Sequence, residues 1–287
     1  MTETVSLVKS GRLVGVIGAG VMGQTLIKGL LSAGLIARDQ IWAADRSADT
    51  REAVARDVGI AVYEDYRAAM PSTDVVLVCV KPKQIATAMA AAHEASPAPG
   101  TLFISILAGV TTAQAEAALG LPNPWVRAMP NTPCVIGEGM TVVCRGQDAT
   151  PAHLEIARRI FAAVGRCEEV DEQYCNAITA LSGSGPAYMY LVMEALADAG
   201  VRVGLPRDLA LTLVAQTMLG SARMVQQTGR HPASLRDDVT TPAGSTIGGL
   251  LMLEDGKIRS VLARAVEEAT RIVDRLGKPA DAKGGHA

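Results

Sequence analysis

Near its start the chain runs Leu13-Val-Gly-Val-Ile-Gly-Ala-Gly-Val-Met-Gly23, and no other stretch limits the fold so sharply. A short apolar run ends in three glycines spaced Gly18-x-Gly20-x-x-Gly23. The apolar residues Leu26, Ile27, Leu30 and Leu31 then predict a helix over 24–33. A strand that breaks at glycine and turns directly into a helix opens a βαβ unit. The pattern then repeats. Strands over 40–44, 74–80, 102–106 and 125–129 alternate with helices over 49–58, 84–92 and 112–119, and 140–144 is a candidate further strand. After its first residue, Asp74-Val-Val-Leu-Val-Cys-Val80 is apolar at every position, as a strand of a parallel sheet covered on both faces must be. Alternation over roughly 150 residues predicts a doubly wound, Rossmann-like α/β domain.

The pattern changes after a helix over 151–164. From about Asp171 no strand stands out, and helical periodicity fills 188–199, 207–227, 246–253 and 258–276. The chain therefore divides into an N-terminal domain over 1–168 and an all-α domain over 169–287, with 277–287 expected to be a disordered tail. Several of the later helices are rich in Ala, Leu and Met, which predicts burial against a second subunit.

Composition narrows the partners. Hydrophobic residues make up 49% and aromatics only 3%, so aliphatic side chains and methionine must build the core. The formal charge is −2, with no long basic run, which argues against nucleic acid or an anionic membrane as a partner. No apolar run reaches the length of a membrane span. Cys79, Cys134, Cys144, Cys167 and Cys175 form no CxxC pair and are odd in number, which suits reduced thiols and a cytoplasmic location. The four histidines are scattered, and no metal site is expected.

In the strand–loop–helix setting each glycine has a distinct task. Gly18 makes the tight turn, Gly20 lets a pyrophosphate approach the backbone, and Gly23 lets helix and strand pack closely. The loop from Gly18 through Gly20, Val21 and Met22 to Gly23 thus reads as a dinucleotide site. Asp45-Arg46-Ser47 ends the next strand, where the adenosine ribose is read. Asp45 suits the 2′-hydroxyl of NADH, while Arg46 and Ser47 suit the 2′-phosphate of NADPH. The Arg-Ser pair tilts the reading to NADPH, with NADH still open. Val80-Lys81-Pro82 lies at the carboxyl end of a strand. Lys81 reads as a cofactor ligand, a proton donor or a plain surface lysine. Ala128-Met-Pro-Asn131-Thr-Pro133 should form a rigid loop near the nicotinamide.

A last segment stands apart: Thr240-Thr-Pro-Ala-Gly-Ser-Thr-Ile-Gly-Gly-Leu250. Pro242 and Gly244 break the chain, and Ser245 and Thr246 suit the start of a helix. One reading is a helix cap and nothing more. The other is an anion site at the helix start, with two hydroxyls beside it.

Taken in order, the GAGVMG loop, Val80-Lys-Pro82, Arg127-Ala-Met-Pro-Asn-Thr-Pro133, Ser182-Gly-Ser-Gly-Pro-Ala-Tyr188 and Thr240-Thr-Pro-Ala-Gly-Ser-Thr246 resemble the pyrroline-5-carboxylate reductase family over nearly the whole chain. The resemblance implies a Rossmann domain, a helical dimerisation domain and a homodimer or ring of dimers. It implies reduction of a cyclic imine carboxylate to L-proline at a site between subunits. By the same resemblance, Thr241, Gly244, Ser245 and Thr246 bind the substrate, with backbone amides on its carboxylate and the Thr246 hydroxyl on its ring nitrogen as the catalytic contact. Asp238 and Val239 line the nicotinamide. The family commonly carries Asn at the Asp238 position and Asn-Arg-Ser where this chain has Asp45-Arg46-Ser47. A hydroxyacid dehydrogenase would carry a Gly-x-x-x-Lys-x-x-x-Asn helix, which this sequence lacks. A reductase of another cyclic imine, and a regulatory protein that binds a dinucleotide without turnover, are the remaining alternatives.

Overall fold

A computed structural model describes residues 7–8 and 11–276; the expected tail over 277–287 lies outside them. The apolar runs form β1 (Leu13–Ile17), β2 (Ile41–Ala44), β3 (Ala61–Tyr63), β4 (Thr73–Val78), β5 (Leu102–Ser105), β6 (Trp125–Met129), β7 (Gly139–Arg145) and β8 (Gly165–Glu169). They build one eight-stranded sheet in the order β3-β2-β1-β4-β5-β6-β7-β8. Every pairing is parallel except β6 with β7. Between the strands run α1 (Val21–Ser32), α2 (Ala48–Val58), α3 (Ile85–Glu94), α4 (Thr112–Leu119) and α5 (Pro151–Ala162).

The two-residue period of the strands separates two cores. Val75 and Leu77 of β4 join Val14, Val16, Leu26, Leu30, Ile104 and Phe161 on one face. Val76 and Val78 join Trp42, Met89, Phe103 and Trp125 on the other. Both tryptophans, with Tyr66 and Phe103, work on this second face. Trp42 stacks on Tyr66 at 5.2 Å, and Phe103 on Trp125 at 5.0 Å. The Trp42 ring fills the space where a Cβ at position 15 would stand, which explains Gly15 in the middle of β1.

After β8 come α6 (Cys175–Ile178), a wide π-turn over Thr179–Gly183, α7 (Gly185–Arg202), α8 (Arg207–Thr228), α9 (Pro232–Asp238), α10 (Ser245–Asp255) and α11 (Ile258–Leu276). Two compact units result. One holds the sheet, the chain as far as Gly183 and the last turns of α11 from Ala269; the other runs from Ser184 to Glu268. The division falls later than the expected boundary after residue 168, because hydrogen bonds tie the intervening segment to the sheet. Val170 donates to the Val143 carbonyl, and Glu172 and Asn176 both accept from Arg127 of β6. In the second unit α7 packs on α8, where Gly200 faces the Ala210 methyl. No helix among the described residues is long and apolar enough to cross a membrane.

Candidate active site

Strand order changes direction between β1 and β4, and the crevice at the carboxyl ends of such strands is where doubly wound sheets bind ligands. The glycine loop sits there. Gly18 has φ +98°, and a Cβ on it would press against the Cys79 carbonyl and the Val80 N–H. A Cβ at Gly23 would run into the Gly18 carbonyl. Gly20 is different. It faces open space, ends in the N-cap position of α1, and no side chain caps that helix. The first N–H groups of α1, beginning at exposed Val21 and half-buried Met22, therefore point into an open cradle. Its shape and its donors fit a pyrophosphate.

Asp45 plays an unexpected part. Its Oδ2 accepts from the Ala19 N–H at 2.9 Å, and its Oδ1 accepts from the Ser47 N–H at 3.0 Å. The carboxylate thus ties the glycine loop to the turn after β2. Ser47 caps α2 by accepting from Thr50 at 3.3 Å. Arg46 lies exposed beside them. Val80 and Pro82 are half-buried at the end of β4, and Lys81 is exposed. The turn there is closed by Gln84, whose Oε1 accepts from the Lys81 N–H at 3.1 Å. The structure gathers Gly18–Gly23, Asp45–Ser47 and Val80–Pro82 at one sheet edge.

Asn131 follows β6, and its amide is engaged on both sides. Oδ1 accepts from the Met140 N–H at 2.9 Å, and Nδ2 donates to the Ser182 carbonyl at 3.2 Å. The side chain braces the π-turn against β7. Below it lies a polar cluster that sequence reading misses. Buried Arg127 donates to Glu172 Oε1 at 3.3 Å and to Asn176 Oδ1 at 3.0 Å. Glu172 also accepts from the Thr112 N–H at 2.7 Å and from its hydroxyl at 2.9 Å. Asn176 donates to Asp274 near the end of α11 at 2.8 Å. A lone Arg inside an apolar strand was the one available signal, since a buried guanidinium demands a carboxylate. Cys144 and Cys175 meet beside it with 3.3 Å between sulfurs, although all five cysteines are free.

The remaining residues belong to the helical unit. Asp238 ends α9 and accepts from Arg230 at 2.6 Å; that hydrogen bond holds its carboxyl below the usual range. Val239 is exposed. Thr241 accepts the Gly244 N–H at 3.1 Å, and its side chain comes so close that a Cβ at 244 would collide with Oγ1. Ala243 holds φ +56° to complete the turn. The N-cap of α10 is Gly244, with no side-chain hydrogen bond. The reading of a hydroxyl cap is therefore corrected. Ser245 and Thr246 occupy the first helical turn, and neither hydroxyl meets a partner among the described residues. The helix start keeps its N–H groups and two hydroxyls open.

The switch-point crevice, the three-glycine turn and the ribose-side turn define a dinucleotide-binding protein of the Rossmann class. Comparison with known proteins takes this further. Residues 172–276 match the family model described as pyrroline-5-carboxylate reductase dimerisation, and residues 13–109 match one described as NADP oxidoreductase, coenzyme F420-dependent. The chain is 39% identical to pyrroline-5-carboxylate reductase of Arabidopsis thaliana, over 90% of its own length and 93% of that protein. It is also 39% identical to the Synechocystis enzyme, over 92% and 98%. The fold matches a pyrroline-5-carboxylate reductase from Coxiella burnetii with a TM-score of 0.86 at 34% identity, covering 94% of this chain and all of that one. A Plasmodium falciparum pyrroline carboxylate reductase with NADP bound follows, with a TM-score of 0.83 at 30% identity and the same coverage. The chain belongs to the pyrroline-5-carboxylate reductase family.

Proposed function

We propose that this protein reduces 1-pyrroline-5-carboxylate to L-proline with NADPH, the last step of proline biosynthesis, as a cytoplasmic homodimer or ring of dimers. The observation that carries the reading is the open start of α10. A helix N-terminus with unpaired N–H groups suits a carboxylate, and the unpartnered Thr246 hydroxyl suits a ring nitrogen. The amides at Gly244, Ser245 and Thr246 hold the substrate carboxylate, Thr241 shapes the turn, and Val239 and Asp238 border the nicotinamide.

Bound NADPH supplies the hydride that the imine carbon receives. A protonated cyclic imine is already electrophilic, so the chain's task is alignment and charge placement. Thr246 orients the nitrogen. The α10 amides fix the ring by its carboxylate. Gly18–Gly23 hold the pyrophosphate, and the closed Lys81 turn borders it. Arg46 favours NADPH over NADH, because the Asp45 carboxylate is already engaged by two backbone N–H groups.

The test is NADPH oxidation with 1-pyrroline-5-carboxylate, beside a six-membered cyclic imine carboxylate and beside NADH. Rapid turnover of the five-membered ring with NADPH is expected. A faster six-membered ring would assign another substrate, and no turnover of either ring would leave only dinucleotide binding.

A further inference from the structure

One residue gathers the whole ribose-side turn. Arg51 lies in the first turns of α2, where a cation works against the helix dipole. Its backbone N–H donates to the Ser47 carbonyl at 3.1 Å. Its Nη1 donates to the carbonyls of Asp45 and Arg46, both at 2.9 Å. Three successive carbonyls, at 45, 46 and 47, thus converge on a single residue. Nη2 forms an ion pair with Glu64 at 2.8 Å, so the charge of Arg51 is balanced, and its side chain is only 20% exposed. The opposite side of the turn is held as well. Asp45 donates its N–H to the Tyr63 carbonyl at 3.2 Å, and its carboxylate binds the Ala19 and Ser47 N–H groups.

What this leaves unengaged is decisive. Asp45 and Arg51 are committed within the protein, and the Ser47 oxygen accepts a capping bond that still leaves its O–H free to donate. The Arg46 guanidinium is exposed and has no partner among the described residues. A planar fork of N–H donors is the side chain best matched to a phosphate monoester.

We propose that Arg51 is the positioning residue for cofactor choice: its guanidinium, by pinning the carbonyls of residues 45 and 46, presents Arg46 to the 2′-phosphate of NADPH. The proposal rests on the NADPH reading above. Arg51 acts through Arg46 and does not touch the pyrophosphate cradle, which both dinucleotides share. Its loss therefore weakens discrimination between them and spares what they have in common.

The experiment is calorimetric titration of the intact oligomer with NADP⁺ and with NAD⁺, in the absence of substrate. It compares wild type, Arg46→Ala and Arg51→Met, with melting temperatures in parallel. Wild type is expected to favour NADP⁺ by about tenfold or more. Arg51→Met should lose most of that ratio while NAD⁺ affinity stays within about twofold. Equal weakening of both cofactors marks a merely structural role and overturns the proposal, as does an unchanged ratio. If Arg51→Met does not fold, Arg51→Lys replaces it: an intermediate ratio supports the proposal, and a wild-type ratio overturns it. A collapsed ratio in Arg46→Ala with a preserved one in Arg51→Met overturns the role of Arg51 alone. No preference in wild type removes the NADPH reading and the proposal with it, whereas a wild-type preference kept in Arg46→Ala overturns the proposal and leaves the NADPH reading standing.

Discussion

At the ribose-side turn the Asp45 carboxylate and the carbonyls of residues 45, 46 and 47 are already bonded within the protein. At the start of α10 the opposite holds, with Ser245, Thr246 and the first amides unpartnered. The same contrast runs through the packing. The sheet unit buries its aliphatic and aromatic side chains in two full cores. Between Ser184 and Glu268 the buried apolar residues are Ala197 and Ala210, while Leu191, Leu211, Leu213, Leu219 and Met252 lie open. A helix with apolar residues on most sides must bury them against something. The first unit is finished within one chain. The second leaves its apolar helix faces open, which fits its match to a dimerisation domain and completion by another copy of itself.

The comparison can be broken from either end. The largest effect is expected inside the finished unit. Glu172→Ala strands buried Arg127 without its carboxylate and should destabilise the sheet unit by about 3–5 kcal/mol. A urea midpoint unchanged from wild type would show that the cluster is solvated. Next comes the open helix start. Thr246→Ala should lower turnover by about 10²–10³ with NADPH affinity kept, because the proposed hydrogen bond that orients the reacting nitrogen is lost. Equal turnover in that variant would remove Thr246 from the chemistry. A smaller effect, at the exposed helices, sharpens the contrast. Leu191→Glu with Leu219→Glu should raise the dimer dissociation constant by about thirtyfold, roughly 2 kcal/mol, in sedimentation equilibrium. Were these leucines solvated, the change would stay within about 0.5 kcal/mol. The smallest effect concerns thiols. Burial pushes Cys79 up to about 12 and Cys167 up to about 11. Both therefore stay protonated as pH rises through 8, and a thiol reagent should modify them more slowly in the folded protein than after denaturation.

How far the sequence carried the fold follows the same line between finished and open. Buried strands were legible because both faces are apolar, and β4 shows this best. The two strands that escaped notice, β3 and β8, are the two edges of the sheet. An edge strand is half solvated, so Gly165-Arg-Cys-Glu-Glu169 carries no apolar run to betray it. The helix α9 was also missed, being short and charged. At the site, glycine spacing was legible because it encodes backbone geometry directly. The partners of Asp45 and Asn131 were not, since their hydrogen bonds reach across 26 and 51 positions of sequence. Local pattern cannot report such pairings. Nor could it tell that Gly244 caps α10, which freed the two hydroxyls for another use.

The stacked aromatics of the second core have a practical corollary. The chain's two tryptophans, Trp42 and Trp125, are both buried in the sheet unit. Tryptophan emission, excited where tyrosine does not absorb, is therefore a private signal of that unit, blind to the helices between Ser184 and Glu268. Ellipticity near 222 nm carries the helices of both. Followed together during unfolding, the two optical channels separate the loss of the nucleotide fold from the loss of the assembly, without a label or a mutation.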